Sequence, residues 1–200
     1  MTSLRHKGLD PARPPAGAAD LALDAARESI LAVGWSRTTL TDIARRAGVS
    51  RMTLYRNWPD MQALLADLMT REWADLVQVD DHSDDHRLRI VRSAVATVRA
   101  IRTNPLFARI VDLDPELLLP YLLERPGRAQ GLVLAAVVAQ IREGQAAGEV
   151  RAGDAQLLAR AIVLACHGFA LSARTMTGNG VTQRKLDDEL ATLLDGYLAP

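Results

Sequence analysis

Thr38-Thr39-Leu40-Thr41-Asp42-Ile43-Ala44-Arg45-Arg46-Ala47-Gly48-Val49-Ser50-Arg51-Met52-Thr53-Leu54-Tyr55-Arg56-Asn57-Trp58 carries two short helical signals split by a turn. Leu40, Ile43, Ala44 and Ala47 recur at helical spacing behind Thr39, whose hydroxyl suits an N-cap. Asp42 stands three residues on, in a capping-box-like position that also suits the helix dipole. Gly48 ends this helix, Val49 puts an apolar contact into the turn, and Ser50 caps a second helix through the amide near Thr53. Pro59 stops that helix at Trp58, because a residue before proline is pushed out of the helical region. Two short helices around a three-residue glycine turn can lay the second helix in the major groove of DNA. On periodicity alone, an ordinary helical pair inside a bundle fits equally well.

The residue identities separate the two readings. The threonine entry, the Asp42-Ile43-Ala44 core, the Ala47-Gly48-Val49-Ser50 turn, the Thr53-Leu54-Tyr55 run and an aromatic three residues after Tyr55 resemble the DNA-binding signature of the TetR family. The resemblance covers about residues 20–68; beyond them it is one of helical layout and length. It implies an all-α protein, with an N-terminal three-helix helix-turn-helix DNA-binding domain followed by a helical ligand-binding and dimerisation domain. Leu40, Ile43, Ala44, Ala47, Val49, Leu54 and Trp58 then form the small core that fixes the helix angle. Arg51, Met52 and Thr53 approach base edges, where arginine pairs with guanine and a methyl touches the thymine methyl. Thr39, Ser50, Tyr55 and Arg56 suit phosphates. The family usually carries a lysine shortly after the aromatic, in line with a phosphate. Met61 stands there instead, leaving Arg45, Arg46 or cations of the N-terminal arm to compensate, although Arg45 and Arg46 read equally well as a solvated helix face.

Outward from this motif, Asp20 reads as the N-cap of a first helix carrying Leu23, Ala26, Ile30 and Val33 and stopping at Gly34. Residues 1–19 combine Pro11, Pro14 and Pro15 with Arg5, Lys7 and Arg13, and lack any apolar period. They read as a flexible arm whose Arg13 or neighbours reach DNA backbone or minor groove. On the other side, Leu64, Leu65, Leu68 and Met69 mark a helix from Asp60 to about Val79, broken by the acidic stretch Asp80–His86. Further helices fit 88–101, 106–111, a short piece after Asp114 and Pro115, 128–147, 154–174 and 182–198, with no repeat or hairpin signal. The expected division is an arm at 1–19, a DNA-binding domain at 20–66 and a ligand-binding and dimerisation domain at 67–200.

Composition agrees with helices packed through aliphatic ridges: 48% of residues are hydrophobic but only 4% aromatic. The formal charge is zero, yet residues 1–60 hold nine Lys or Arg against six Asp or Glu, and the remainder fifteen against eighteen. Any nucleic-acid site therefore belongs to the N-terminal third. Cys166 is the single cysteine, so no internal disulfide forms. The continuous apolar runs 132–139 and 161–166 fall short of the ~20 residues of a membrane span, and a cytoplasmic protein is expected.

In the body, Leu157 to Leu171 is apolar nearly all round, which a helix tolerates only when covered on two sides. With a last-helix stripe of Leu186, Leu190, Leu193, Leu194 and Tyr197, it suggests a four-helix contact in a homodimer. The family resemblance further implies a palindromic double-stranded DNA operator and a repressor released by a small hydrophobic or amphipathic effector. Trp73, Phe107, Arg109, Tyr121, Cys166, His167 and Phe169 are the candidate effector contacts, as aromatic or polar handles in an aliphatic body. The alternative is a DNA-binding regulator whose body binds a protein partner or only dimerises. An enzyme is disfavoured: Cys166 and His167 are helical neighbours whose side chains diverge by about 100°, and no nucleophile elbow, Walker loop or Rossmann fingerprint is present. His82 and His86 have zinc-compatible i, i+4 spacing, but lie in an acidic linker, and neither a metal nor any cofactor is assigned.

Overall fold

A computed structural model describes residues 17–77, 83–123 and 127–200. The fold is all-α, a helix-turn-helix module followed by a helical body; among the described residues the one β feature is an isolated bridge between Gly178 and Val181. Helix α1 (Ala18–Val33) begins behind Gly17 rather than Asp20. Asp20 lies in the first turn, where its charge favours the helix dipole without serving as the cap. Helices α2 (Leu40–Ala47) and α3 (Arg51–Asn57) begin at the expected caps, with Asp42 N donating to Thr39 Oγ1 at 3.2 Å and Thr53 N to Ser50 Oγ at 3.0 Å. Gly48 takes the left-handed φ of 67° that turns the chain between them, and Val49 N closes onto Ala44 O at 3.1 Å. Helix α4 (Met61–Leu76) is capped by Asp60, whose carboxylate accepts from Ala63 N at 2.7 Å; it ends at Leu76, short of Val79.

Helices α5 (His86–Thr103) and α6 (Pro105–Leu113) meet at Asn104, whose Oδ1 accepts from Phe107 N at 2.9 Å while Pro105 fills the first position, where no donor is needed. A 3-10 turn at Pro115–Leu118 leads into α7 (Leu119–Leu123), followed by α8 (Arg128–Ala146), α9 (Ala155–Ser172), a second 3-10 turn at Ala173–Met176 and α10 (Gln183–Leu198).

The buried side chains fall into two cores. The first joins α1 to α4 and is completed by Leu106 and Ile110 of α6. The second is built by α5, α8, α9 and α10, through residues such as Val98, Ile141, Ile162 and Leu190. Helix α4 runs unbroken across the expected division at 66/67, and α6, distant in sequence, packs under the reader. In the body, Asp187 is 3% exposed and clamps α10 to α5, accepting from Arg99 Nε at 2.7 Å and Arg102 Nη2 at 2.5 Å.

The expected stripe on α10 splits between two faces. Leu190 and Leu194, at i and i+4 with Leu198, enter the core, whereas Leu193 is 58% exposed, and Leu186 and Tyr197 are half-buried. Helix α9 divides likewise: Leu158, Ala159 and Ile162 point inward, while Leu157 and Leu164 are 64% and 70% exposed. Counted over its whole length rather than by continuous runs, Ala155–Met176 is long and apolar enough to cross a bilayer. Its inner face is nonetheless spent on α5, α8 and α10.

Candidate nucleic-acid interface and effector cavity

Leu54 and Trp58 are 1% and 4% exposed, so they fix which side of α3 faces the core. Arg51, Met52, Tyr55 and Arg56 are all exposed on this helix, Met52 at 79% and Tyr55 at 49%. No described residue forms an ion pair with Arg51 or Arg56. Thr53 is half-buried, its Oγ1 2.8 Å from Ser50 Oγ. The Thr39 hydroxyl donates to Asp42 Oδ2 at 2.6 Å, and this bond, outweighing partial burial with help from Arg45, holds the Asp42 carboxyl below its ordinary range. Thr39 and Ser50 thus present to solvent hydroxyls already committed to capping.

The basic residues of α2 differ from those of α3. Arg45 pairs with Asp42 at 3.1 Å and Arg46 with Glu28 at 3.4 Å. Arg37, in the turn before α2, is exposed and has no ion-pair partner among the described residues. It lies outside the motif, which is why the sequence pattern passed over it. Met61 is half-buried against the first core, so the residue standing in place of the lysine serves packing. The arm cations Arg5, Lys7 and Arg13 lie outside the described residues.

Three carboxylates tie this reader to the rest. Asp67 on α4 accepts from Trp58 Nε1 at 2.8 Å with one oxygen and from Arg128, at the start of α8, with the other. Glu72, also on α4, accepts from Arg27 Nε of α1 at 3.0 Å and from Asn104 Nδ2 at 3.2 Å. Asp114, 2% exposed at the end of α6, accepts from Trp35 N at 2.9 Å, Ser36 N at 3.2 Å and the Ser36 hydroxyl. Burial alone would raise the Asp114 carboxyl; the Ser36 and Trp35 hydrogen bonds outweigh it and hold the group below its ordinary range. Gly34 permits this approach: its φ is 86°, and a Cβ there would come within 3.3 Å of Asp114 Oδ2.

Between α4, α6, the start of α8 and α9 lies an apolar cavity of about 90 Å³. Of the expected effector contacts, Trp73, Phe107 and His167 line it. Arg109, Cys166 and Phe169 do not, because the packing angles of α6 and α9 turn them elsewhere. Arg109 donates to Ala32 O at 3.3 Å, towards the reader, while Cys166 and Phe169 pack on the body core. Burial pushes the Cys166 thiol up to about 12, so it stays protonated and offers no nucleophile. The Tyr121 side chain lies outside what is described. Met69, Arg128 and Gln130 line the cavity too, and nothing in the sequence beyond helical position points to them. Of the zinc-spaced pair, His82 lies outside the described residues, and His86 Nδ1 is 2.7 Å from Glu149 Oε2.

Fold and surface together define a class, the helix-turn-helix transcriptional regulators that bind DNA through a small N-terminal reader. Residues 22–68 match the bacterial regulatory proteins of the tetR family. An HTH-type transcriptional regulator of Mycobacterium tuberculosis (strain CDC 1551 / Oshkosh) is 34% identical over 176 residues, which cover 88% of this chain and 92% of that one. The chain belongs to the TetR family. Its fold is shared by a TetR-family regulator of Rhodococcus sp., with a TM-score of 0.66 at 19% identity over 91% of this chain and 98% of that one. It is also shared by RolR, solved with resorcinol, with a TM-score of 0.64 at 14% identity over 90% and 87%. The family and its relatives are regulators of transcription, not enzymes.

Proposed function

We propose that the chain is a homodimeric, ligand-responsive repressor that works in the cytoplasm. In this reading α3 enters the major groove at each half of a palindromic operator. Arg51, Met52 and Thr53 face base edges, and Tyr55 and Arg56 grip phosphates together with Thr39 and Ser50, whose hydroxyls turn from their cap partners to donate, with Arg37 as a further phosphate contact. The dimer forms across the apolar side chains that the body leaves uncovered, Leu132 on α8, Leu157 and Leu164 on α9 and Leu193 on α10.

The observation that carries ligand control is the double duty of α4. Its Leu65, Met69 and Trp73 wall the cavity, and its Asp67 holds Trp58 at the end of the recognition helix. A molecule in the cavity presses on α4 and α6 together, and both reach the reader. If it favours a spacing of the two readers that misfits the operator, DNA affinity falls by its differential affinity for the two states. The neighbour RolR holds resorcinol, which supports a small molecule as the kind of effector this architecture accepts.

The test is a titration of the protein against duplexes flanking its own gene, across a salt series and with candidate effectors. Specific binding to one palindrome, weakening linearly on a log–log salt plot, is expected. Absence of binding to every nearby palindrome, or a monomer by light scattering at micromolar concentration, sinks the reading.

A further inference from the structure

The cavity restricts the chemistry of what fills it. We propose that the effector is a compact, uncharged molecule whose apolar body occupies the cavity and whose hydroxyl group bridges Gln130 and His167. This rests on the reading of the cavity as the effector site.

Most of the described wall is apolar, including Leu65, Met69, Trp73, Phe107 and Ile110, and its polar groups are few. Thr70 Oγ1 donates to Ala66 O of its own helix at 2.7 Å, so its proton is spent. Arg128 stands at the rim with its side chain 73% exposed and is paired with Asp67. The Trp73 indole offers a donor but no acceptor; Gln130 and His167 remain as the pair that can offer a donor and an acceptor together. Gln130 Oε1 accepts from Gly127 N at 2.7 Å, which orients the amide and directs its Nε2 towards His167 Nε2, 3.5 Å away. That separation is at the long limit for a direct hydrogen bond, yet one oxygen at about 2.9 Å from both nitrogens closes the triangle. Burial lowers the His167 pKa, so the ring is neutral at neutral pH and can offer an acceptor nitrogen. A hydroxyl then accepts from the Gln130 amide and donates to the imidazole, satisfying all three groups.

Formal charge fits poorly. A carboxylate would have to draw Arg128 away from Asp67 or lie unpaired against apolar wall, and an ammonium finds no carboxylate among the described lining residues. Size narrows the class further. A volume of about 90 Å³ is well below the ~300–1,000 Å³ of pockets for drug-sized ligands, which favours a compact occupant such as a single ring.

The experiment uses the full chain at neutral pH and four probes: para-cresol, para-xylene, para-toluate and benzylammonium. Calorimetry reads binding, and anisotropy of a labelled operator duplex reads release in the same samples. Para-cresol is expected to bind about 10-fold more tightly than para-xylene, the worth of one satisfied hydrogen bond pair. Both charged probes are expected to bind at least about 100-fold more weakly than para-cresol. Gln130→Ala and His167→Phe should each abolish the preference for para-cresol while para-xylene still binds, an outcome that general loss of structure would not produce. Tighter binding of para-toluate, a cresol preference that survives both substitutions, or failure of all four probes to bind overturns the proposal. Binding of para-cresol without operator release instead leaves the chemical class standing and sinks ligand control. Release by a charged probe does the reverse.

Discussion

The reader and the body are both helical, but they are specified by different physics. The reader is held by short-range chemistry: side-chain caps at Thr39, Ser50 and Asp60, and a left-handed Gly48, each satisfied within three or four residues. The body is held by long-range contacts between α5, α8, α9 and α10, including the Asp187 clamp on Arg99 and Arg102, and it leaves large aliphatic side chains outside. A small module whose α2, α3 and α4 each start at a side-chain cap can be read from those caps. A layer of apolar helices cannot, because either face of each helix could serve the interior. Where the two meet, buried Glu72 is bonded to Arg27 of α1 on one side and Asn104 on the other, and buried Asp114, at the end of α6, accepts from Trp35 and Ser36 of the reader. The seam therefore combines buried, hydrogen-bonded carboxylates with the apolar packing of Leu106 and Ile110.

The strongest challenge to this division is the claim that α6 belongs with the reader. Leu106 is fully buried in the first core, although it lies far along the chain from α1. Leu106→Ala should cost about 2–5 kcal/mol, as expected for a leucine removed from a well-packed site. Hydrogen exchange should show the loss in the amides of α1 and α4, with α9 and α10 spared. Loss centred on α9 would break the division.

Next in size is the seam itself. Asp114→Ala leaves the amides of Trp35 and Ser36 without their acceptor and should cost about 1–3 kcal/mol. It also predicts a pH signature. The Asp114 carboxyl titrates lower in the folded state than in the unfolded chain, so its contribution is fully present above the ordinary value near 3.8 and is lost as pH falls through the depressed folded value. Denaturant titrations at descending pH should therefore show the gap between the parent and Asp114→Ala narrowing in acid. A gap independent of pH would mean that the hydrogen bonds do not depend on the charge.

How much of this was legible in the sequence follows the same line. The caps, the turn and the outward face of α3 were readable because each signal is complete within a few residues. Trp73, Phe107 and His167 were found as candidate cavity residues by being aromatic or polar in an aliphatic setting, but the same criterion chose Arg109, Cys166 and Phe169. What separates the two sets is the rotation of α6 and α9 about their axes, fixed by packing on other helices, α1 for α6 and α5, α8 and α10 for α9. Gln130 was missed because a polar residue near a helix start ordinarily faces water. Its spacing from Gly127, matching the third residue of a capped helix, was the one available hint.

On the DNA side, Arg51 and Tyr55 share a face but should fail differently. Arg51→Ala is expected to lose about 1–3 kcal/mol of operator affinity and to relax preference at one base position. Tyr55→Ala should weaken binding to all duplexes alike, through a lost phosphate contact. Competition with single-base operator variants checks both. Uniform loss in Arg51→Ala would move that residue from the bases to the backbone.

The smallest expected effect concerns Arg46, and it sharpens the contrast between paired and unpaired cations. Arg46 and Glu28 are both largely exposed, with side chains 48% and 64% accessible at a separation of 3.4 Å, so the pair is screened by water and salt. Arg46→Ala should therefore change stability by no more than about 0.5 kcal/mol. Its effect on DNA affinity should also be smaller than that of Arg37→Ala, because Glu28 already compensates the Arg46 charge whereas Arg37 has no ion-pair partner among the described residues. The salt slope of operator binding separates the two. A phosphate-contacting cation lowers the slope by about one when removed, and a locally neutralised one leaves it unchanged. Equal slopes for both variants would show that local pairing does not decide which cations of the reader meet DNA.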